Sequence, residues 1–127
     1  MTRYQTETDR RFAALADPTR RAMVERLARG PATVSDLAQP FAMALPTVLQ
    51  HLKTLEDSGL IRSRKSGRVR ICEIEGQAIQ GVERWFAAQI EVWETRLNQL
   101  DALALRLAEA EQSAGPVPAN SEGKAHV

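Results

Sequence analysis

The chain has 127 residues, a formal net charge of +1, one cysteine and a hydrophobic share of 43%. This length fits one domain, and a single cysteine excludes a disulfide framework and a Cys-x-x-Cys zinc or redox site within one chain. No apolar run approaches the roughly 18 residues that span a bilayer, and the N-terminus lacks the apolar core of a secretory signal. We therefore expect a cytoplasmic protein without a membrane segment.

The first two predicted helices meet at an Asp-Pro pair. Residues 7–16 have a helical pattern, and its apolar face comprises Phe12, Leu15 and Ala16. Asp17 suits an N-cap and Pro18 the first helical position, where proline lacks only an N–H that would have no partner. The second helix runs to about Arg29, and Gly30 ends it in the C′ position. Its inward-facing residues are expected to be Ala22, Met23, Val24 and Leu27.

Two further helices follow, separated by a short connection. Thr33 opens a capping-box-like sequence that predicts a short helix to about Pro40. A longer helix is predicted at about residues 45–57, and Ser58-Gly59 ends it. One side of this helix is apolar and comprises Leu45, Val48, Leu52 and Leu55. The other side comprises Pro46, Thr47, Gln50, Lys53 and Thr54, with His51 on the border.

Residues 60–74 change to a β-type pattern. Two short runs, 60–65 and 69–74, flank the turn at 66–68 and predict a β-hairpin. In the second run, one face comprises Val69 and Ile71, and the other comprises Arg70, Cys72 and Ile74. Residues 62–70 of the hairpin contain no acidic residue. They contain five basic residues, which are Arg62, Arg64, Lys65, Arg68 and Arg70.

The last helical pattern is long and carries an apolar stripe. It extends from about Gln77 to Ala110, and its apolar positions recur at steps of three and four residues over about four heptads. Such a stripe is typical of a helix–helix seam. A helix of roughly 30 residues is about 45 Å long, more than a domain of this size covers, so we expect a partner subunit. The stripe comprises Ile79, Val82, Phe86, Ile90, Trp93, Leu97, Leu100, Leu103 and Leu107.

The aromatic residues of this helix and the end of the chain allow two more predictions. Trp85, Phe86 and Trp93 fit either a ligand pocket or an interface core, and their helical spacing favours the interface. Residues 111–127 have no periodicity and are rich in Gly, Pro, Ser and Ala, which predicts a flexible tail. The predicted domain is therefore residues 1–110.

Charge is divided unevenly along the chain. Residues 1–72 hold thirteen Lys and Arg against seven Asp and Glu, a net charge of +6, whereas residues 73–127 hold four against nine, a net charge of −5. The basic half suggests contact with a polyanion, although solvated helix faces explain the charge equally well when it is taken alone.

The order of elements, four helices, a hairpin and a long helix, predicts a mainly α winged helix-turn-helix fold. An α-helix fits the DNA major groove, where Gln50 suits adenine, Thr47 a thymine methyl or a phosphate, and Lys53 a phosphate or guanine. The basic hairpin would add salt-sensitive phosphate contacts. A merely solvated helix face and a basic edge strand that prevents aggregation are the alternatives. The polar helix face and the basic hairpin occur together in the basic half of the chain, and a helix suited to dimerisation follows them. This combination favours DNA binding over either alternative.

Three stretches resemble the ArsR/SmtB family of bacterial winged helix-turn-helix repressors. They are FAALADPTRR at 12–21, VSDLA at 34–38 and PTVLQHLKTLEDSGLI at 46–61, and the resemblance covers about residues 8–95. It implies a recognition helix at about 45–57, a wing at about 62–72, a homodimer built from the first and last helices, and a palindromic operator. The DNA-contacting residues are then Pro46, Thr47, Leu49, Gln50, His51 and Lys53, with the five bases of the wing. The dimer interface comprises Phe12, Val82, Phe86, Ile90, Trp93, Leu97 and Leu100.

The chain departs from the metal-sensing members of this family. Residues 32–37 hold no cysteine where those members have cysteines, and the last helix has no histidine. Its carboxylates Glu83, Glu91 and Glu94 therefore lack nitrogen or sulfur partners, and we expect no metal and no other cofactor. The resemblance is closer to the metal-independent branch. The single Cys72 fits a small half-buried residue, or alternatively a redox sensor whose pKa Arg70 would lower.

Two residues of the predicted recognition helix also depart from the family. Ala44 stands where many members have Ser, which removes an N-cap and costs about 1 kcal/mol of helix stability. Leu49 stands where many have Ser or Thr. It fits either packing or a thymine methyl, and we favour packing. His51 fits helix packing or a phosphate contact.

These patterns predict a homodimeric, sequence-specific DNA-binding repressor of a promoter near its own gene. The alternative is a protein-interaction module that uses the long helix and the winged domain. An enzyme is not expected, because the sequence has no nucleophile–base set and no Gly-rich phosphate loop. The sequence identifies no small-molecule effector.

Overall fold

The computed structural model describes residues 6–113 and contains five α-helices and three β-strands. The helices are α1 (Glu7–Leu15), α2 (Pro18–Leu27), α3 (Val34–Ala38), α4 (Leu45–Asp57) and α5 (Gly76–Ser113), and the strands are β1 (Ala32–Thr33), β2 (Ile61–Ser66) and β3 (Val69–Ile74). The chain divides into two compact units, one ending at Phe86 and one beginning at Ala87. The first unit is the predicted winged helix-turn-helix.

Side chains at the helix N-termini explain where three of the helices begin. Thr6 and Asp9 form a reciprocal capping box on α1, with both N···O distances at 3.1 Å. Asp17 caps α2 by accepting from the backbone N–H of Arg20 at 3.0 Å, and Thr33 caps α3 by accepting from that of Asp36 at 3.1 Å. These caps satisfy N–H groups that have no partner within a helix. Helix α4 begins at Leu45, and its N-cap residue, Ala44, provides no side-chain hydrogen bond, as the sequence predicts.

The core of the first unit lies between α2, α3, α4 and the sheet. Its fully buried side chains are Met23, Leu37, Val48, Leu55, Leu60 and Cys72. Leu45, predicted on the apolar side of α4, is instead 54% exposed, because it lies in the first turn, ahead of the buried residues of that helix. In α1, Ala14 is buried, whereas Ala16, predicted on the apolar face, is an exposed C-cap.

The wing is part of a three-stranded antiparallel sheet with strand order β1-β3-β2. Strands β2 and β3 pair from Ile61–Ile74 to Ser66–Val69, so the predicted hairpin is confirmed, and Gly67 has a positive φ of 64° in its two-residue turn. Strand β1 was not predicted. Its residue Thr33 pairs with Ile71 and also caps α3, so one residue joins the wing to the helix-turn-helix.

Helix α5 confirms the predicted long helix and extends three residues beyond it, to Ser113. Residues 111–113 are therefore helical rather than part of a tail, and residues 114–127 lie outside the described residues. Within the second unit, every residue from Ala87 to Ser113 is exposed. Among residues 6–113, no helix combines the length and hydropathy needed to cross a membrane.

Candidate nucleic-acid interface

Helix α4 presents a polar face because its opposite face is fixed in the core. Val48, Leu52 and Leu55 are buried at steps of four and three residues, which sets the rotation of the helix. At its end, Ser58 and the positive-φ Gly59 turn the chain into the wing. The residues of α4 that remain exposed include Pro46, Thr47, Leu49, Gln50 and Lys53.

Two polar side chains of α4 contact other groups of the same helix. The ammonium group of Lys53 lies 3.1 Å from a carboxylate oxygen of Asp57, one turn later, and both side chains are exposed. An exposed pair of this kind contributes little stability, so a phosphate can replace the carboxylate at small cost. The hydroxyl of Thr54 donates to the carbonyl oxygen of Gln50 at 3.1 Å. The Gln50 amide has no such contact within residues 6–113.

Leu49 does not belong to the buried core. Its side chain is 44% exposed and lines a groove between α4 and the wing, together with Val34 and Arg70. Its surface is thus partly covered and partly open, so the choice between packing and contact with a thymine methyl stays a prediction. Its apolar surface is available on the same side of α4 as Gln50 and Lys53.

The base and the tip of the wing differ in charge. Register places Arg62 opposite Glu73, and the Arg62 guanidinium donates to Glu73 at 3.2 Å and to Glu75. Glu75 and then Glu73 raise the pKa of Arg62. Arg64 lies 3.7 Å from the same Glu73 carboxylate. The base of the wing is thus largely neutralised by acids that follow the nine-residue basic stretch in sequence.

The tip of the wing keeps its positive charge. Lys65 lies near the end of β2 and Arg68 in the turn itself; both are exposed and form no ion pair with any residue between 6 and 113. Arg70 is held differently, since it donates to the hydroxyl of Ser63 at 2.7 Å, and Ser63 donates to Glu56 of α4 at 2.9 Å. This chain of hydrogen bonds joins the wing to α4.

His51 lies where α4 meets the α1–α2 corner. Its Nδ1 atom is 3.3 Å from a guanidinium nitrogen of Arg20 and 3.9 Å from a carboxylate oxygen of Asp17. The backbone N–H of Arg20 is the main cause that lowers the pKa of Asp17. This three-residue junction was not predicted from the sequence, although the DPTR string that contains Asp17 and Arg20 was singled out for the family resemblance.

Cys72 is buried at the centre of the sheet, with only 1% of its surface exposed. Burial raises the pKa of its thiol; Glu56 acts in the same direction and Arg70 in the opposite one. The expectation that Arg70 lowers this pKa is therefore wrong in its net result, because desolvation outweighs the nearby charge. Within residues 6–113, no three His, Cys, Asp or Glu side chains are placed to hold a metal ion.

Three aromatic rings join α1 to the start of α5. Phe12, Trp85 and Phe86 lie edge to face, with ring centroids 5.1 to 5.5 Å apart. Such pairs add stability beyond burial alone. Trp85 and Phe86 nevertheless remain 42% and 50% exposed, so the cluster forms an apolar surface patch. Val82, also predicted at the interface, packs partly against the core.

The remaining predicted interface residues belong to the second unit, where α5 carries its own apolar stripe. Exposure there is 50% for Ile90, 60% for Trp93, 40% for Leu97 and 55% for Leu100. The two tryptophans thus belong to different units, and only Trp85 joins the aromatic cluster.

Comparison with known proteins places this geometry in a family. Residues 15–64 match a family described as a helix-turn-helix domain. A crystal structure of an ArsR family transcriptional regulator, RHA00566, is 57% identical, with a TM-score of 0.67, and the match covers 70% of this chain and 98% of that one. The chain belongs to the ArsR family. The family resemblance noted in the sequence is thereby confirmed, and this family consists of transcriptional regulators rather than enzymes.

Two further comparisons bear on this ArsR-family chain. The HTH-type transcriptional regulator Rv2034 of Mycobacterium tuberculosis is 46% identical over 67 residues, which cover 53% of this chain and 63% of that protein. The chain thus spans less than two thirds of this curated relative. A homodimeric winged helix-turn-helix DNA-binding domain from Mycobacterium bovis is 29% identical, with a TM-score of 0.53, and the match covers 73% of this chain and 83% of that one.

Proposed function

We propose that this ArsR-family chain is a homodimeric, sequence-specific DNA-binding regulator that represses a promoter near its own gene. The observation that carries the proposal is the exposed polar face of α4, which lies beside a wing whose tip keeps an unneutralised Lys65 and Arg68. This arrangement combines a helix that can read base edges with basic side chains that contact phosphates and release their counterions.

Within this proposal, α4 enters the major groove and supplies the base contacts. The Gln50 amide can donate and accept at once, which matches the N6 and N7 edge of adenine. Thr47, one turn earlier, and the half-exposed Leu49 offer methyl groups to thymine. Lys53 exchanges its weak pair with Asp57 for a phosphate or a guanine.

The wing contributes affinity rather than sequence preference. Lys65 and Arg68 at the tip contact phosphates, and the hydrogen-bonded chain from Arg70 through Ser63 to Glu56 keeps the wing in register with α4. Arg62 has a different role from the one its charge suggested, because Glu73 and Glu75 hold it at the base of the hairpin.

Dimerisation would use the apolar surfaces that a single chain leaves exposed. The aromatic patch of Phe12, Trp85 and Phe86 and the α5 stripe around Ile90 and Leu97 are the candidates. The Mycobacterium bovis relative is homodimeric, which supports the same assembly here. A two-fold dimer would read a palindrome whose half-sites lie about one helical turn apart or multiples of it. A dimer seated on a promoter represses by occupying the site.

We assign the chain to a metal-independent mode of regulation. The stretch at 32–37 that carries cysteines in metal-sensing relatives has none here, and Cys72 is committed to the core. Neither the thiolate and imidazole ligands of a zinc-type site nor an exposed sensor thiol is therefore available in the first unit.

A salt titration tests the proposal. We expect the full-length protein to bind a duplex from the region upstream of its own gene with a dissociation constant in the nanomolar range, measured by fluorescence anisotropy, and a scrambled duplex far more weakly. The logarithm of affinity should fall steeply and linearly with the logarithm of salt concentration. Weak, salt-independent binding to every duplex would contradict the proposal and favour the protein-interaction module.

Three variants separate base reading from phosphate contact. Gln50→Ala should relax base preference at one operator position, at a cost of about 1–3 kcal/mol there. Arg68→Ala should weaken binding to all sequences alike and reduce the salt slope by about one. Arg62→Ala is the matched control, since its charge is already paired, and it should leave the slope nearly unchanged. Equal loss of discrimination in the first two variants would refute this division of labour.

A further inference from the structure

Arg20 uses three of its guanidinium nitrogens at the α1–α2–α4 junction. Its Nε donates to the carbonyl oxygen of Ala14 at 2.6 Å, and Nη2 donates to that of Ala13 at 3.2 Å. Both carbonyls lie in the last turn of α1. The Ala13 oxygen also accepts from the backbone N–H of Ala16 at 3.2 Å, whereas the residue four positions after Ala14 is Pro18, which has no N–H to donate to the Ala14 oxygen. The third nitrogen, Nη1, lies 3.3 Å from Nδ1 of His51, which is 31 residues away in sequence. The planar fork of arginine therefore holds the end of α1 against the recognition helix.

This contact determines which nitrogen of His51 carries the proton. A guanidinium can only donate, so Nδ1 must accept, and the hydrogen of the neutral ring must be on Nε2. The competing arrangement is an Nδ1–H group that donates to Asp17. That arrangement is disfavoured, because the Asp17 carboxylate is 3.9 Å away and already accepts from the backbone N–H of Arg20 at 3.0 Å.

The Nε2–H group is left as a donor without a partner. No hydrogen bond to this nitrogen exists within residues 6–113, and the His51 side chain is 18% exposed, so the ring is largely enclosed but reaches the surface. His51 follows Thr47 by one turn and lies on the border of the polar face of α4. An oriented, partly desolvated donor at this border suits a phosphate oxygen better than a base edge, since the bases lie under the centre of the face.

We infer that Arg20 is a positioning residue that holds His51 in the Nε2–H tautomer, and that this N–H group donates to a DNA phosphate beside the recognition helix. The second half of the inference rests on the proposed DNA-binding function, whereas the first half concerns the free protein. A neutral imidazole N–H that donates to a phosphate adds affinity for every sequence without releasing a counterion. That signature separates His51 from Arg68, whose loss changes the salt slope.

The tautomer is measured directly in the free protein. In ¹⁵N-histidine NMR spectra at alkaline pH, the His51 signals should show a protonated Nε2 and an unprotonated Nδ1. His51→Gln identifies them against the second histidine, His126. Arg20→Lys keeps the charge, but its single nitrogen cannot reach the Ala13, Ala14 and His51 acceptors together, so it should give a mixture of tautomers. A protonated Nδ1 in the wild-type protein would overturn the inference, whether or not the protein binds DNA.

A matched pair of substitutions tests the phosphate contact. The side-chain amide nitrogen of glutamine reaches the position of Nε2, whereas that of asparagine reaches only the position of Nδ1. His51→Gln should bind both operator and scrambled duplex within about threefold of wild type, and His51→Asn should lose about tenfold on both, with an unchanged salt slope. Wild-type affinity in His51→Asn would refute the phosphate contact.

The positioning role of Arg20 is tested by placing Arg20→Lys in the wild-type protein and in the His51→Gln variant. Arg20→Lys should lose about as much affinity as His51→Asn in the wild-type background, and much less in the His51→Gln background, where no tautomer needs to be held. Equal losses in both backgrounds would reduce Arg20 to a structural residue. If thermal unfolding measurements show that Arg20→Lys is not folded, His51→Gln and His51→Asn still test the phosphate contact. Loss of salt-dependent binding in the wild type itself would contradict the proposed function and leave the tautomer result standing.

Discussion

At the scale of single residues, neighbours distant in sequence decide what each side chain does. Cys72 is the example. Its position in an alternating run predicted a half-buried residue, but β3 is the central strand, and Cys72 lies between Ala32 on one side and Ser63 on the other. The unpredicted strand β1 covers the edge that would otherwise be open. The thiol is therefore buried, and burial sets the direction of its pKa shift.

We predict that Cys72 is unreactive in the native protein and lowers stability at high pH. Its folded pKa is raised above the unfolded value, so its contribution is complete below the unfolded pKa of about 8.5 and is lost as pH rises through the folded pKa. Alkylation at neutral pH should be far slower in buffer than in urea. The free energy of unfolding should fall from pH 7.5 to 10 more steeply than in Cys72→Ala. Rapid alkylation in buffer would revive the redox-sensor interpretation.

At the scale of elements, local signals predicted most of the fold. The bounds of α4 agreed with the prediction because its start, its periodic buried face and the glycine at its end are all encoded within residues 44–59. Strand β1 escaped prediction because two residues carry no periodicity, and its partner Cys72 is forty residues away. The neutralised base of the wing was missed for a related reason, since only strand register brings Glu73 opposite Arg62. The junction of Arg20 and His51 likewise depends on tertiary packing.

We predict that α4, which lacks a side-chain cap at its N-terminus, can be stabilised. Ala44 has extended backbone angles, and its carbonyl already accepts from Thr47 and Val48, so the backbone has the geometry of an N-cap without the side chain. The next residue but one is Pro46, which has no N–H, so a serine hydroxyl would accept from Thr47. Ala44→Ser should raise the free energy of unfolding by about 1 kcal/mol in urea titrations.

The control for this prediction is Ala42→Ser, an exposed alanine outside the helix. It should leave the free energy of unfolding unchanged within the error of the titration. A gain of the same size in both variants would show that the effect comes from surface polarity and not from capping. DNA affinity should change little in Ala44→Ser, because the cap alters the stability of α4 and leaves its exposed face as it is.

At the scale of the whole molecule, the net charge of +1 is the sum of a basic half, residues 1–72, and an acidic half, residues 73–127. The basic half contains the helix-turn-helix and nearly all of the wing, and the acidic half contains all of α5. The described part of the second unit, residues 87–113, belongs to α5, and all of its residues are exposed, including Ile90, Trp93 and Leu97. A contiguous apolar stripe on an isolated helix marks an interaction surface. Under the proposed function, a palindrome would be read by two copies of α4, so we propose that a second copy of this chain covers the stripe.

We predict that Ile90→Glu combined with Leu97→Glu gives monomers in sedimentation velocity, because two charges per chain would have to be buried in the seam. Thr95→Glu combined with Gln99→Glu is the matched control, which adds the same charge to the opposite face of the same exposed helix and should remain dimeric. The monomeric variant should keep its thermal stability in the first unit and bind a palindrome no more tightly than a single half-site. Dimers that persist in the double variant would place the interface on the patch of Phe12, Trp85 and Phe86, where Phe86→Glu would then be the disruptive change.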